Sequence, residues 1–249
     1  MTLRSILRWA LPGLFAYLVF LCATFPAAYL VHWVKPDPHG LELSAVSGSA
    51  WSGQAGQLVF QGVPLGRISW DFDWRAPWTG RLGYHIRLKD RTLDLAGRAD
   101  VGRDRRIMMH NLAGRIPLSR LDHWMPLPSN SVDGLLQLQL ASLTIAKGFP
   151  IAATGEVRLS DANLHWPESA ALGSYRMKLH TTKEIVGQIQ DSSGPLALNA
   201  QVRLQPNGRY TVSGNVSARD KTSAAAKLLS YMGSPGPGGK YPLNFNGQL

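Results

Sequence analysis

Residues 196–217 have the sequence LALNAQVRLQPNGRYTVSGNVS, which is the clearest structural signal in the chain. Apolar and polar side chains alternate from Leu196 to Leu204, the period-two pattern of a β-strand with one buried face. The dipeptide Asn207-Gly208 then favours a tight hairpin turn, because both residues tolerate positive φ. Alternation resumes from Tyr210 to Val216, so the stretch predicts a β-hairpin.

The same alternation recurs along most of the chain, between clusters of turn-forming residues. The clearest further runs are Ile68–Trp74, Tyr84–Leu88, Leu136–Leu140, Gly155–Leu159 and Tyr175–Leu179. Helical spacing is confined to Leu118–Trp124 and Ala224–Met232, which are too short to cover a sheet. The pattern predicts a mainly β protein, a strongly twisted antiparallel meander of about ten to twelve strands with one or two short helices. Two sheet lobes, 46–116 and 132–249, and one sheet with an open groove both fit the sequence.

An uncharged apolar segment precedes the alternating region. No residue between Arg8 and Lys35 carries a fixed charge, and Trp9 and Trp33 bracket the segment. A helix between these indoles is roughly 36 Å long, enough to span a hydrocarbon core. Pro26 lies inside the segment and predicts a kink. A cleaved signal peptide is the alternative, but the apolar run is long and its end lacks a good cleavage site.

These features predict a single-pass protein of the bacterial inner membrane. Because basic residues favour the cytoplasmic side, Arg4 and Arg8 place the N-terminus in the cytoplasm and the bulk of the chain in the periplasm. The predicted segments are a cytoplasmic tail (1–8), a transmembrane anchor (9–34), a linker (35–45) and a periplasmic β-rich domain (46–249).

The chain carries 26 basic and 16 acidic residues, which gives a net charge of +10. The basic residues are dispersed along the predicted strands and form a dense run only at residues 103–106. No motif for reading a groove or stacking bases accompanies them, so we expect no nucleic-acid partner. A solvated strand face or attraction to membrane lipids accounts for the charge.

No sequence motif points to catalysis. Motifs for nucleotide binding, serine hydrolysis and zinc binding are missing, and the seven histidines are scattered. The one cysteine, Cys22, provides neither an intrachain disulfide nor a thiolate metal site. The best carboxylate pair, Asp71 and Asp73, is bracketed by Arg67 and Arg75, as in an ordinary surface charge ladder. We therefore predict no enzyme activity, catalytic residue, cofactor or metal.

Residues 46–53, VSGSAWSG, lie where the anchor segment meets the β domain. Glycines let the chain bend here, and Trp51 is either a core anchor of this corner or an indole that touches the membrane or a partner. Ser49 and Ser52 have no histidine nearby in sequence to activate them. The positions predicted to be structural are Gly48, Trp51, Gly53, Trp70, Gly155, Trp166, Gly194 and Gly214. The positions predicted to line a groove or contact a partner are Trp70, Trp74, Tyr84 and Leu138.

Several short motifs stand in a fixed order along the chain. They are GSAWSG (48–53), LGRISW (65–70), GEV (155–157), NLHW (163–166), SGPL (193–196) and GRY (208–210). Together with the anchor, this order resembles the type II secretion system protein N family over nearly the whole chain. Ala50 departs from the pattern, which leads us to expect a larger apolar residue there.

The resemblance implies an accessory inner-membrane component of the machinery that exports folded proteins from the periplasm. Its partners would be other inner-membrane and periplasmic components of the secretion system, reached through sheet edges and the polar face. The family has no assigned catalytic residues, so none is carried over. A looser similarity to the curved sheets of AsmA-like proteins leaves a second function open, binding of membrane lipids in an apolar groove. Packing of the groove residues against a second sheet would exclude that function.

Overall fold

A computed structural model describes residues 40–248 except 103, 105, 122–127, 129–130, 167 and 232, and in the N-terminal segment 13–14, 17, 20–21 and 24–29. Residue contacts divide the chain into two compact units, Met1–Phe72 (unit 1) and Asp73–Leu249 (unit 2). The predicted lobes at 46–116 and 132–249 have other bounds and stay a prediction.

Unit 1 contains a three-stranded antiparallel arrangement in its described part. The strands are β1 (Leu41–Gly48), β2 (Ser52–Phe60) and β3 (Val63–Phe72). Ala55, Leu58 and Val63 are buried and form the apolar side of β2 and β3. Strand β1 begins inside the range predicted as a linker, and residues 35–39 of that range lie outside the described part of the chain.

Unit 2 contains a longer meander. Its described strands are β4 (Leu82–Lys89), β5 (Asp94–Val101), β6 (Ile107–Pro117), β7 (Val132–Ala146), β8 (Phe149–Leu164), β9 (Ala170–Thr181), β10 (Ile185–Ser193), β11 (Leu196–Leu204), β12 (Arg209–Ala218) and β13 (Tyr241–Gln248). Each is antiparallel to the strand that follows it in sequence. The prediction of a mainly β, antiparallel meander is confirmed. The described strands number thirteen, one more than the upper end of the predicted ten to twelve.

Strands β6 and β7 pair directly, from Ile107 opposite Ile145 to Pro117 opposite Leu135. A helix and linker are predicted between them, from residue 117 to 131. The structure has one 3₁₀ turn there, Leu118–Arg120, and residues 122–127 lie outside the described part.

The predicted C-terminal helix is present as α1 (Ala224–Ser230), shorter than the predicted range. The Ser223 side chain caps it by accepting a hydrogen bond from the Ala226 N–H, 3.2 Å away. Ala225 and Leu229 pack against Leu196 and Val216 and form a buried cluster. Burial of one such leucine contributes about 1.5–3 kcal/mol, so this cluster fixes the helix on the apolar side of β11 and β12.

The pairing register separates two faces of the unit 2 sheet, because directly opposed residues of paired strands point to the same side. One apolar row runs through Leu88, Leu95, Gly114, Leu138, Val157, Met177, Ile189, Ala200, Gly214 and Leu243. One polar row runs through Lys89, Asp94, Arg115, Gln137, Arg158, Arg176, Gln190, Asn199 and Asn215. We call the side that carries this second row the polar face.

Among the described residues, no helix combines the length and the apolar character needed to cross a membrane. The predicted anchor, residues 9–34, lies largely outside the described part of the chain and stays a prediction.

Candidate functional site

The corner between β1 and β2 is a four-residue turn closed by hydrogen bonds. Gly48 is opposite Gly53, and the Ser49 N–H donates to the Ser52 carbonyl at 2.8 Å. The Ser49 hydroxyl accepts from the N–H groups of Trp51 and Ser52, at 3.2 and 3.1 Å. Gly48 has φ +95°, and a Cβ there would lie 2.6 Å from the Ser52 carbonyl oxygen, so this position requires glycine. The two serines therefore serve the turn.

The predicted tryptophans support this corner through separate contacts. The Trp51 ring meets the Phe72 ring edge-on, with centroids 4.9 Å apart. The Trp70 indole N–H donates to the Ser49 carbonyl at 3.2 Å, and a Cβ on Gly53 would lie 2.6 Å from the Trp70 ring. Trp51 is half-buried, and its ring packs on Phe72 at this corner.

The corner also contacts the described part of the N-terminal segment. The Ala50 N–H donates to the Phe25 carbonyl at 2.8 Å, and Pro26 forms an isolated antiparallel bridge with Ser49. Ala50 and Ala27 are both buried. The larger apolar residue expected at position 50 would occupy this buried position, so the small side chain is explained by the packing.

The other predicted structural positions are spread over unit 2 and do not form one site. Gly155 lies in β8, Gly214 lies in β12, and Gly194 follows β10. A side chain at any of these glycines would overlap backbone atoms of a neighbouring strand. Trp166 follows β8 and is 54% exposed. The neighbouring His165 pairs with Asp133 at 2.8 Å.

The predicted groove residues are divided between the units. Trp70 belongs to unit 1, whereas Trp74, Tyr84 and Leu138 belong to unit 2. Trp74 is 63% exposed, and Tyr84 and Leu138 are half-buried on the apolar side of the sheet. Burial raises the pKa of the Tyr84 hydroxyl. The described strands of unit 2 form one sheet, so the second sheet that would exclude a groove is not seen in that part.

The predicted carboxylate pair is also divided, because Asp71 lies in unit 1 and Asp73 in unit 2. Asp71 accepts a hydrogen bond from the Ser52 hydroxyl at 2.6 Å. Asp73 pairs with Arg98 at 2.9 Å, and Arg98 also pairs with the buried Asp100 at 2.9 Å. The charge ladder therefore uses an arginine from β5 rather than one of the two that bracket the pair in sequence. Asp100 was not predicted from the sequence. Its one local signal is its position two residues after Arg98 on β5, which places both side chains on the same face of the strand.

A second feature that was not predicted from the sequence is an exposed aromatic loop. Trp78 lies in the 3₁₀ turn Ala76–Thr79, and its side chain is 91% exposed. Leu82 is exposed nearby, and Arg75 and Arg81 flank the turn. Pro77 and Gly80 are the residues that indicate a turn here, since proline and glycine interrupt helices and strands.

The polar face carries two troughs of similar size. The first, of about 600 Å³, crosses β4–β7; we call it the basic trough, and its lining includes Arg87, Lys89, Asp94, Ala96, Ala113, Arg115, Gln137 and Gln139. The second, of about 630 Å³, crosses β10–β12; we call it the amide trough, and its lining includes Gln188, Gln190, Asp191, Asn199, Gln201, Ser213, Asn215 and Lys240.

The basic trough has an excess of unpaired positive charge. Arg87, Lys89 and Arg115 are exposed, and in the described part of the chain none of them has an ion-pair partner. Asp94 is the one acidic side chain of the lining. The trough therefore presents a net charge of +2, three cations against one carboxylate.

The positive charge continues along the polar face beyond the basic trough. Arg158 and Arg176 are directly opposite each other on β8 and β9, an arrangement that is destabilising for like charges. Glu156 pairs with both guanidinium groups, with Arg176 at 3.0 Å. The hydrogen bond from Arg158 is the main cause that lowers the pKa of Glu156.

In the part of the chain that the structure describes, no group of three His, Cys, Asp or Glu side chains is arranged to hold a metal ion. The candidate features in this part of the chain are the corner, the exposed loop at Trp78 and the two troughs.

Comparison with known proteins identifies the family. The sequence profile described as "Type II secretion system (T2SS), protein N" matches residues 39–244. The chain belongs to the type II secretion system protein N family. The family assignment made from the short motifs is therefore confirmed.

Relatives of the protein N family resemble this chain over nearly their full length. Type II secretion system protein N of Klebsiella pneumoniae is 31% identical over 93% of this chain and 92% of its own. The corresponding proteins of Vibrio cholerae serotype O1 and Aeromonas hydrophila are 27% and 26% identical, over 86% and 95% of this chain and 87% and 96% of their own. No solved structure matches the chain.

Protein N family membership makes this chain a type II secretion component, and the family is defined by that system rather than by an enzymatic activity. The matched residues 39–244 include the corner and both troughs. The family match thus covers β1 to β12, α1 and the first half of β13.

Proposed function

We propose that this protein is an accessory inner-membrane component of the type II secretion system. It supports export of folded proteins from the periplasm across the outer membrane through protein–protein contacts. Residues 9–34 anchor it, the N-terminus lies in the cytoplasm, and the β-rich region lies in the periplasm. The observation that carries the proposal is the family match over residues 39–244.

The described sheet offers two kinds of contact surface. Strand β13 pairs with β12 on one side, and in the described part of the chain nothing pairs with its other side. Such an edge presents free backbone donors and acceptors to which a partner strand can be added. The polar face offers charged and amide side chains, which suit contacts that are specific but reversible.

The exposed loop at Trp78 supports a position close to the membrane. Indole rings and arginine side chains together favour the headgroup region of a bilayer, because each has an apolar body and a polar end. Trp78 and Trp74 with Arg75 and Arg81 supply this combination.

Co-purification of the full-length chain tests the proposal. The tagged protein is extracted from membranes of cells that express the secretion genes, and the proteins and lipids that accompany it are measured by mass spectrometry. We expect enrichment of secretion-system subunits relative to an untagged control. Absence of these subunits, in cells where they are present in the membrane, would contradict the proposed function.

A second candidate function is the binding of a lipid or another apolar molecule. It is favoured by the apolar row through Leu138, because the described strands of unit 2 form one sheet and α1 packs at its β9 and β12 end. The same experiment separates the two functions. A stoichiometric lipid that is lost in Leu138→Asp, with no secretion subunit recovered, would favour the lipid function.

A further inference from the structure

We infer that the basic trough is the docking site for an acidic, extended peptide segment of a partner protein. The inference rests on the proposed function, since it assigns the surface and the chemistry of one of the proposed protein–protein contacts. Four features of the described residues carry it: the charge of the trough, the spacing of the cations, the floor of the trough and the contrast with the amide trough.

The charge of the trough calls for an anionic partner. Arg87, Lys89 and Arg115 are exposed and without ion-pair partners in the described part of the chain, and only Asp94 opposes them in the lining. By contrast, Glu156 pairs with both neighbouring arginines elsewhere on the same face. Clustered arginines and lysines recognise acidic protein segments by charge-assisted hydrogen bonds.

The spacing of the cations matches an extended chain with several carboxylates. Arg87 and Lys89 are two residues apart on one face of β4, which separates their backbone positions by about 6.6 Å. Lys89 and Arg115 lie two strands apart, which separates them by roughly 9.6 Å. The spacing across the strands is close to that between acidic residues three positions apart in an extended peptide, at ~3.3 Å per residue. A peptide that crosses the strands would bring carboxylates to Lys89 and Arg115, with Arg87 to one side of it.

The floor of the trough suits a peptide backbone. Ala96 and Ala113 are opposite each other on β5 and β6, in the row that begins at Arg87, so the floor beside Arg87 is bounded by methyl groups. Asp94 lies between Lys89 and Arg115 in the neighbouring row. Gln137 and Gln139 on β7 form the far side, and their amides can both donate to and accept from a peptide backbone. The cations do not surround one point, because Arg115 lies two strands away from β4, which carries Arg87 and Lys89, and Asp94 lies between them. This arrangement favours a peptide over the single phosphate of a lipid headgroup.

The amide trough shows that the basic charge is not a general property of the polar face. It has nearly the same volume, about 630 against about 600 Å³, and is formed on the same side of the sheet. Its lining contains one basic residue, Lys240, and one acidic residue, Asp191, so its net charge is zero. We therefore expect the amide trough to be inert toward acidic peptides.

The test uses the full-length chain in nanodiscs of zwitterionic lipid. The probe is a fluorescent twelve-residue peptide with glutamate at every second or third position, and its matched control has glutamine at the same positions. Binding is measured by fluorescence anisotropy at low and high salt. A second probe is a vesicle that contains phosphatidylglycerol, which reports on lipid headgroups.

Two triple variants are compared with the natural chain. The trough variant combines Arg87→Gln, Lys89→Gln and Arg115→Gln. The control variant combines Lys147→Gln, Lys183→Gln and Arg209→Gln, three exposed positions outside the trough, and removes the same charge. We expect the trough variant to lose at least tenfold in affinity for the glutamate peptide and the control variant to change less than twofold. Circular dichroism verifies that both variants fold.

Equal losses in the two variants would overturn the inference, because they would show a response to net charge alone. The inference would also be overturned if the natural chain does not bind the glutamate peptide and the trough variant loses binding to the vesicles. That result would assign the trough to a lipid headgroup. These results leave the proposed function intact when secretion subunits still co-purify with the natural chain. Failure of that co-purification would reject the proposed function by itself.

Discussion

The basic trough and the amide trough lie on one face of the same sheet, yet they differ in the net charge of their side chains. The amide trough is lined by glutamine, asparagine and serine, whose side chains can satisfy one another and water without net charge. The basic trough has three exposed cations and one carboxylate, Asp94, which is directly opposite both Lys89 and Arg115. The difference teaches that the amide end is compatible with a purely structural role, whereas the basic end has a net charge of +2 that an acidic partner would neutralise.

The largest effect is expected at the amide end, where one arginine connects three strands. Arg219 pairs with Asp191 and donates to the Leu196 carbonyl at 3.2 Å and to the Gly194 carbonyl. Arg219→Ala leaves Asp191 largely buried without its cation, so we expect a loss of about 2 kcal/mol in the free energy of unfolding. Urea unfolding followed by circular dichroism measures it.

Arg203→Ala is the control for that measurement, because Arg203 is exposed and its carboxylate partner Glu184 is 3.8 Å away. We expect a change below about 0.5 kcal/mol for the control. Equal losses for Arg219→Ala and Arg203→Ala would show that the ion pair does not stabilise the amide end.

A charge reversal at the basic end is the next largest effect. Arg115→Glu places two carboxylates opposite each other, since Asp94 is the partner of Arg115 on β5. We expect about a tenfold loss of affinity for the glutamate peptide, which corresponds to ~1.4 kcal/mol. Gln201→Glu introduces a negative charge in the amide trough and should change the affinity by less than about twofold. A similar loss for both substitutions would erase the distinction between the troughs.

The stability contributed by the amide end should depend on pH through Asp191. Burial raises the pKa of Asp191, but hydrogen bonds from the Arg219 guanidinium and the Leu198 N–H outweigh it and hold the pKa below its usual value. A carboxyl with a lowered pKa in the folded state stabilises above its unfolded pKa, about 3.9. This stability is lost as the pH falls through the folded pKa.

Urea unfolding at pH 7 and at a series of pH values below about 4 tests this sign. We expect the natural chain to lose stability on acidification and Asp191→Asn to lose less over the same interval. A steeper loss in Asp191→Asn than in the natural chain would contradict the assignment of the ion pair.

The smallest effect concerns the charge next to the basic trough. Glu156→Gln removes the acid shared by Arg158 and Arg176, so the positive potential of the face rises. We expect about a two- to threefold gain in affinity for the glutamate peptide. The peptide titration at low salt measures it, and a loss of affinity would show that the potential of the face does not set binding.

Much of the sheet could be predicted because the alternation of side chains is a local property. The hairpin at Asn207-Gly208 and the corner at 48–53 follow from residues adjacent in sequence. The basic trough could not be predicted in the same way, because Arg87 and Arg115 meet only through the pairing of three strands. That pairing depends on a register shift between Ala96 and Arg98 that no local pattern indicates.

Residues whose role depends on tertiary packing could not be predicted from the sequence either. Asp100 is buried beside Arg98 although carboxylates are usually exposed, and Trp78 is exposed although large aromatic rings are usually covered. Both exceptions arise from tertiary context, which composition and periodicity do not contain.

Site-specific photo-crosslinking in secreting cells tests the central claim most directly. A photo-reactive amino acid replaces Ala113 in the basic trough or Ser213 in the amide trough, two exposed positions with small side chains on the same face. We predict that only position 113 crosslinks to a secretion-system subunit and that the crosslinked peptide is rich in aspartate and glutamate. Crosslinks from position 213 alone, equal products from both positions, or products that are lipid only would contradict the account.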